Sequence, residues 1–117
     1  MEHNNPLDVV YEIKAGLDYE IDDRRIVTIL RKQDHWIQRF VRKLKFKIPA
    51  YRRTSLDDQA SHAFLSIDGT RTVQEIGELM AARFGDQANP LYERLLMFLN
   101  HIEKNERFIV RKAVQQD

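Results

Sequence analysis

Histidine, carboxylate and cysteine side chains are the usual carriers of catalytic and metal chemistry, and this sequence gives them no working spacing. His3, His35, His62 and His101 are scattered along the chain, none paired at the intervals that let two imidazoles share a metal ion. There is no cysteine, which removes thiolate nucleophiles, disulfides and cysteine-bound metals and suits a cytoplasmic protein. Neither an H-E-x-x-H helix, a phosphate loop, a dinucleotide turn nor a nucleophile elbow is present. Carboxylates are abundant, but none stands in an apolar stretch that would raise its pKa for acid–base work. His101 shares a helical stretch with Glu93 and Asn100 without forming a triad. The sequence therefore predicts no enzyme, no catalytic residue, no metal and no cofactor. The remaining chemistry is recognition through surfaces.

Charge is the first surface property to read. The net charge is only +1, yet residues 31–53 hold 9 basic and 1 acidic side chains, while the remainder holds 10 basic and 17 acidic. A basic segment thus sits against an acidic body. It can meet an acidic peptide, a nucleic-acid backbone, an anionic membrane or its own domain. With 43% apolar and 32% charged residues in 117, the chain has room for one domain with one modest core. No apolar run approaches the roughly 20 residues of a membrane-spanning helix, and Met1–Pro6 has neither the basic nor the apolar region of a signal peptide.

The elements that must position any surface follow from periodicity. Residues 1–6 and 115–117 read as frayed tails, with a short strand or ordered arm through Val9, Val10, Tyr11 and Ile13. Leu17, Tyr19 and Ile21 alternate with acidic residues, and Ile26–Leu30 is largely β-branched, so the two predict a half-buried hairpin turning at Asp23-Arg24-Arg25. Trp36, Ile37, Phe40, Val41 and Leu44 share one face of an amphipathic helix over 34–46, with Arg39, Arg42, Lys43 and Lys45 opposite. Tyr51–Leu56 reads as a third strand, and Ser55 or Asp57 caps a helix whose apolar face is Ala60, Ala63, Phe64 and Ile67. His62 falls off that stripe and is expected in solvent.

The stretch Leu65–Ile76 organises the rest. Asp68-Gly69 ends one helix, because glycine enters the left-handed region without a Cβ penalty, and Thr72 with Glu75 makes a capping box for the next. Val73, Ile76, Met80 and Phe84 continue that helix to Gly85; Gly77 inside it costs about 1 kcal/mol against alanine and predicts close approach by another element. Asn89-Pro90 reads as N-cap and first turn of a third helix. Its stripe of Leu91, Leu95, Phe98, Leu99 and Ile102 widens through Tyr92 and Leu96, so either the strands cover that edge or it lies open to a partner. Phe108, Ile109 and Val110 predict a closing strand. Strands, helix–turn–helix and third helix make an α+β winged helix-turn-helix: a three-stranded antiparallel sheet packed on a three-helix bundle, with the basic amphipathic helix inserted.

On Ala63-Phe64-Leu65-Ser66-Ile67-Asp68-Gly69-Thr70-Arg71-Thr72-Val73-Gln74-Glu75-Ile76, with Met80 and Phe84, the chain resembles the PqqD family of peptide chaperones, also called RiPP recognition elements. The likeness continues more weakly from Leu91 to Phe108 and covers roughly residues 17–110. It implies a non-catalytic adaptor that binds the leader of a ribosomally made precursor peptide and presents it to a modifying enzyme, often a radical-SAM protein. In such domains the leader adds as a strand to the sheet edge and lies against the third helix. Carried onto this chain, the resemblance places Tyr51, Arg52, Arg53 and Thr54 on the strand and Tyr92, Leu96 and Glu103 on the helix flank. Arg52 and Arg53 suit leaders, which are often acidic.

Two other classes remain open from the sequence. A winged helix with a basic segment can bind DNA, but the candidate reading helices carry Glu75, Glu78, Glu93 and Glu103, and carboxylates repel the phosphates that supply most affinity. The helix over 34–46, with Trp36 on its apolar face, can lie on anionic lipid. Neither nucleic acid nor membrane is the expected partner.

Overall fold

The structure, a computed structural model, describes residues 5–32 and 51–112, apart from the side chains of Lys32, Tyr51 and Arg52. The amphipathic helix expected over 34–46 lies outside them. In chain order the elements are β1 (Tyr11–Ile13), β2 (Asp18–Ile21), β3 (Val27–Lys32), β4 (Tyr51–Ser55), α1 (Asp58–Ser66), α2 (Val73–Phe84), α3 (Leu91–Asn100) and β5 (Ile109–Arg111). The result is an α+β fold of three helices and two small antiparallel sheets, one ordered β2-β3-β4 and one pairing β1 with β5.

Local signals account for most element ends. Asp57 caps α1 by accepting from the Ala60 N–H at 2.7 Å. Thr72 caps α2: its hydroxyl accepts from Glu75 N–H at 3.2 Å while the Glu75 carboxylate accepts from Thr72 N–H at 2.8 Å. Gly69 and Gly85 take positive φ angles of 82° and 57° at the ends of α1 and α2. The β2–β3 turn is tied by Asp22, whose carboxylate accepts from the N–H groups of Arg24 and Ile26 at 2.8 and 2.9 Å.

Three expectations need correction. Asn89 does not cap α3; Pro90 occupies the cap position and no side chain bonds there. Asn5 and Pro6 are not frayed, because Asn5 caps a 3-10 turn over Pro6–Asp8 through a 2.9 Å bond from Leu7 N–H. β2 is less covered than its alternation suggests: Tyr19 and Ile21 are 39% and 51% exposed, since β2 is the sheet's edge and only the Tyr19 ring, edge-on to Phe64 at 5.2 Å, reaches the core.

The core is one cluster. Val27 and Ile29 from β3 meet Ala63, Phe64 and Ile67 near α1, Val73, Ile76 and Met80 of α2, Leu95 and Leu99 of α3, and Ile102 in the helical turn that follows it. Tyr11, Phe108 and Ile109 close it from the β1–β5 ribbon. Where β4 leaves β3, the chain inserts a side chain into the ladder. The buried Ser61 hydroxyl accepts from Val27 N–H at 2.9 Å and donates to Leu56 C=O at 3.3 Å, while Leu56 N–H reaches Val27 C=O directly at 2.9 Å.

The close approach expected at Gly77 is made by Tyr92. A Cβ at Gly77 would sit 2.7 Å from the ring Cζ, and the Tyr92 hydroxyl bonds Gln74 C=O at 3.3 Å. Gly77→Ala should therefore destabilise the protein by about 1 kcal/mol, as overpacking outweighs the gain in helix propensity. In a Tyr92→Ala background the same change should reverse sign and stabilise, which paired denaturant titrations read directly.

The turn before α2 is electrostatic. The Asp68 carboxylate accepts from Thr70 N–H, Thr70 Oγ1 and Arg71 N–H at 2.8–2.9 Å, and these bonds, those to Thr70 first, hold its pKa down to about 2 against an ordinary 3.8. A depressed folded-state pKa means that the carboxylate's contribution is full above the ordinary value and fades as pH falls from about 3.8 to about 2. The stability difference between wild type and Asp68→Asn should accordingly be level near neutrality and shrink through that acid window, measured by urea unfolding at stepped pH.

Candidate peptide-binding edge and groove

β4 is bonded on one side only among the described residues. It pairs with β3, with Arg52 opposite Arg31, Arg53 opposite Leu30 and Thr54 opposite Ile29. The Leu56–Val27 bond sets the phase of the ladder, and in an antiparallel pair alternate residues turn their N–H and C=O to the partner. Arg52 and Thr54 therefore spend their backbone groups on β3. Arg53 and Ser55 turn theirs away from β3, as a row unpaired among the described residues. The Arg53 side chain reaches back across the sheet to Glu20 at 2.8 Å; both are more than half exposed, so the pair contributes little to stability.

Beyond the end of β4 the chain bends into α1 and opens a cavity of about 130 Å³. Its floor is Ala60, Ala63, Met80 and Leu95; its walls include Leu91 and Phe98; Asp57 and Arg94 stand among the lining residues. Arg94 is fixed by donating to Gln87 C=O at 3.0 Å, a carbonyl that also accepts from Gln59. Further along, the inner face of β3 is tied to the end of α3 by Arg31, which bonds Glu106 at 2.9 Å and lies over the Phe108 ring. The α3 residues that line the cavity are Leu91, Arg94, Leu95 and Phe98, while Glu106, past the helix end, meets β3 through Arg31.

The helix-flank candidates from the sequence face elsewhere. Tyr92 packs on Gly77 of α2. Glu103 accepts from Arg111 Nε at 2.9 Å and from the Tyr11 hydroxyl at 3.4 Å, which binds it into the β1–β5 ribbon. Burial, then the Glu103 carboxylate, raises the Tyr11 pKa. Leu96 is half-buried against the core. None of these contacts reaches β4, whereas the Leu91–Arg94–Phe98 row borders the cavity at its end. All three share the apolar stripe or its margin, but which margin adjoins the strands depends on where α2 packs. The sequence signal was Gly77: a helical glycine asks for a bulky neighbour, and Tyr92 satisfies it.

His62 is also placed differently from expectation. It is half-buried, edge-on to Phe84 at 5.6 Å, and burial, followed by the charges of Arg83 and Arg25, lowers its pKa. Among the described residues no group of histidines and carboxylates could hold a metal ion, and no helix is long and apolar enough to cross a membrane.

No curated protein and no solved structure matches the chain. The family described as Coenzyme PQQ synthesis protein D (PqqD) matches residues 50–106, which run from the start of β4 through all three helices. That span, with its one-sided strand and the cavity at its end, is a PqqD-family domain.

Proposed function

We propose that the chain is a non-catalytic adaptor with a winged helix-turn-helix fold that binds the leader of a ribosomally synthesised precursor peptide by strand addition and presents it to a modifying enzyme. PqqD-family domains are generally non-catalytic chaperones, and membership implies a role in cofactor or peptide biosynthesis. The observation that carries the finer reading is the outer row of β4, at Arg53 and Ser55, unpaired among the described residues, with a cavity beyond the strand's end lined by Leu91, Leu95 and Phe98 together with Asp57 and Arg94. A guest strand would bond that row and seat an apolar side chain between Leu91, Leu95 and Phe98, with Arg94 meeting a guest carboxylate. Tyr51, Arg52, Arg53 and Thr54 remain the proposed strand; Leu91, Arg94 and Phe98 replace Tyr92, Leu96 and Glu103 as the proposed helix contacts. The modifying enzyme, of radical-SAM or other type, is the proposed second partner.

The test is a titration of isotopically labelled protein with the leader half of a precursor peptide encoded beside its gene. Amide shifts should cluster at 53–57 and 91–98, and Phe98→Ala should weaken binding roughly tenfold, the loss of one well-buried contact. Glu103→Gln should leave the affinity unchanged. Shifts confined to other elements would sink the reading.

A further inference from the structure

The three-stranded sheet has a second edge. Opposite β4, the strand β2 pairs only with β3 among the described residues. The 3.1 Å bond from Asp22 N–H to Ile26 C=O fixes the phase, as do the bonds of Val27, whose N–H goes to Ser61 and whose C=O goes to Leu56. Asp18 and Glu20 accordingly spend their backbone groups on Leu30 and Thr28, while Tyr19 and Ile21 turn theirs outward. Both outward residues are within reach of a guest, at 39% and 51% exposure, and the strand is exposed along its whole length. An open edge that carries apolar side chains is a pairing site that folded proteins normally keep covered.

Charge selects what covers it. From Asp18 to Asp23 the chain holds four carboxylates and no base. Tyr19 lies against Phe64 of α1, so its alternate neighbours Asp18 and Glu20 stand on the face of the sheet away from the helices. Asp18 has no ion-pair partner among the described residues, and Glu20 has one exposed pair, with Arg53. Arg25, in the turn that follows, lines a small hollow with Asp58 and Leu65 of α1, on the opposite face. A second copy of β2 added antiparallel here would set carboxylate beside carboxylate. Nucleic acid and anionic lipid would meet the same repulsion. An extended chain that alternates lysine or arginine with aliphatic side chains fits both faces: its cations lie beside Asp18 and Glu20, its aliphatic groups beside Tyr19 and Ile21.

We propose that the outer edge of β2 docks a basic, extended segment of a partner protein by strand addition. β2 and β4 are opposite edges of one sheet, so a partner held here and a chain held at β4 can be bound together.

The probe is a hexapeptide alternating lysine and valine, titrated into the full labelled chain. Amide shifts are expected over Asp18–Ile21, with binding weakened roughly fivefold as salt rises from low to several-fold physiological strength. Asp18→Asn with Glu20→Gln should weaken it roughly fivefold and leave the unfolding curve close to wild type, since both side chains are exposed. Ile21→Pro deletes an outward donor that no bond of the sheet uses, so it should abolish binding while the fold stands. N-methylation at alternate peptide residues, which leaves the protein untouched, should do the same. The proposal is overturned if no shifts appear at β2, if they appear only at β4, if the N-methylated peptide binds equally, or if an alternating glutamate–valine peptide shifts β2 as well. It is also overturned if the β2 amides shift with protein concentration before any peptide is added, which would give the edge to a second copy. Each result is independent of whether a leader peptide shifts β4.

Discussion

Arg53→Pro is expected to leave the fold standing and to cost most of the leader affinity, whereas Thr54→Pro, one residue on, should do the reverse to the fold. The difference follows from the ladder phase. The Arg53 N–H points away from β3, so a proline there removes no bond of the native sheet, and proline is tolerated at outward positions of edge strands. The Glu20 pair is lost as well, but it is exposed and weak. For a guest strand the same proline deletes a donor and puts a ring in its path, a loss of roughly tenfold or more. The Thr54 N–H faces Ile29; proline there breaks the ladder and should destabilise by about 3 kcal/mol. Thermal unfolding and leader titration on both variants separate the two effects. Equal loss of stability in both would mean that the strand phase is misassigned.

Ser61→Ala is the second large effect. The hydroxyl is fully buried and completes two backbone groups at once, Val27 N–H and Leu56 C=O. Alanine fits the space but leaves a donor and an acceptor in the core without partners. Each such group costs about 1–3 kcal/mol. A loss of about 2–3 kcal/mol overall corresponds to a midpoint about 10 °C lower for a domain of this size. Because Ser61 also holds β4 at the point where it leaves β3, the amides of Leu56 and Val27 should exchange faster in the variant. Ser66, the other buried serine, gives the control: its hydroxyl donates only to the His62 carbonyl within α1, so Ser66→Ala should cost about 1 kcal/mol or less.

These two cases show what the sequence could and could not specify. Caps and turns were legible because they are local: Asp57, Asp68-Gly69, Thr72 with Glu75 and Gly85 act on residues within a few positions of themselves. Gly77 was legible as a demand for a neighbour, but its neighbour was not, because Tyr92 meets it only after α2 and α3 have packed. That same packing decides which margin of α3 lies beside the sheet. Tyr92 and Glu103 therefore lie on the margin that meets α2 and the β1–β5 ribbon. No sequence pattern singles out Ser61; its role exists only where three separate segments meet. The pairing of Phe108–Val110 was foreseen as a closing strand, but its partner β1 is nearly a whole chain length away in sequence. Sequence periodicity carries no information about such a distant match.

Hydrogen exchange at single residues of β4 tests the central claim most directly. In the free protein the amides of Arg52 and Thr54 should be slow and those of Arg53 and Ser55 fast; addition of the leader peptide should slow Arg53 and Ser55. Fast exchange at both with the leader fully bound, or slow exchange at both before any peptide is added, would contradict strand addition at this edge.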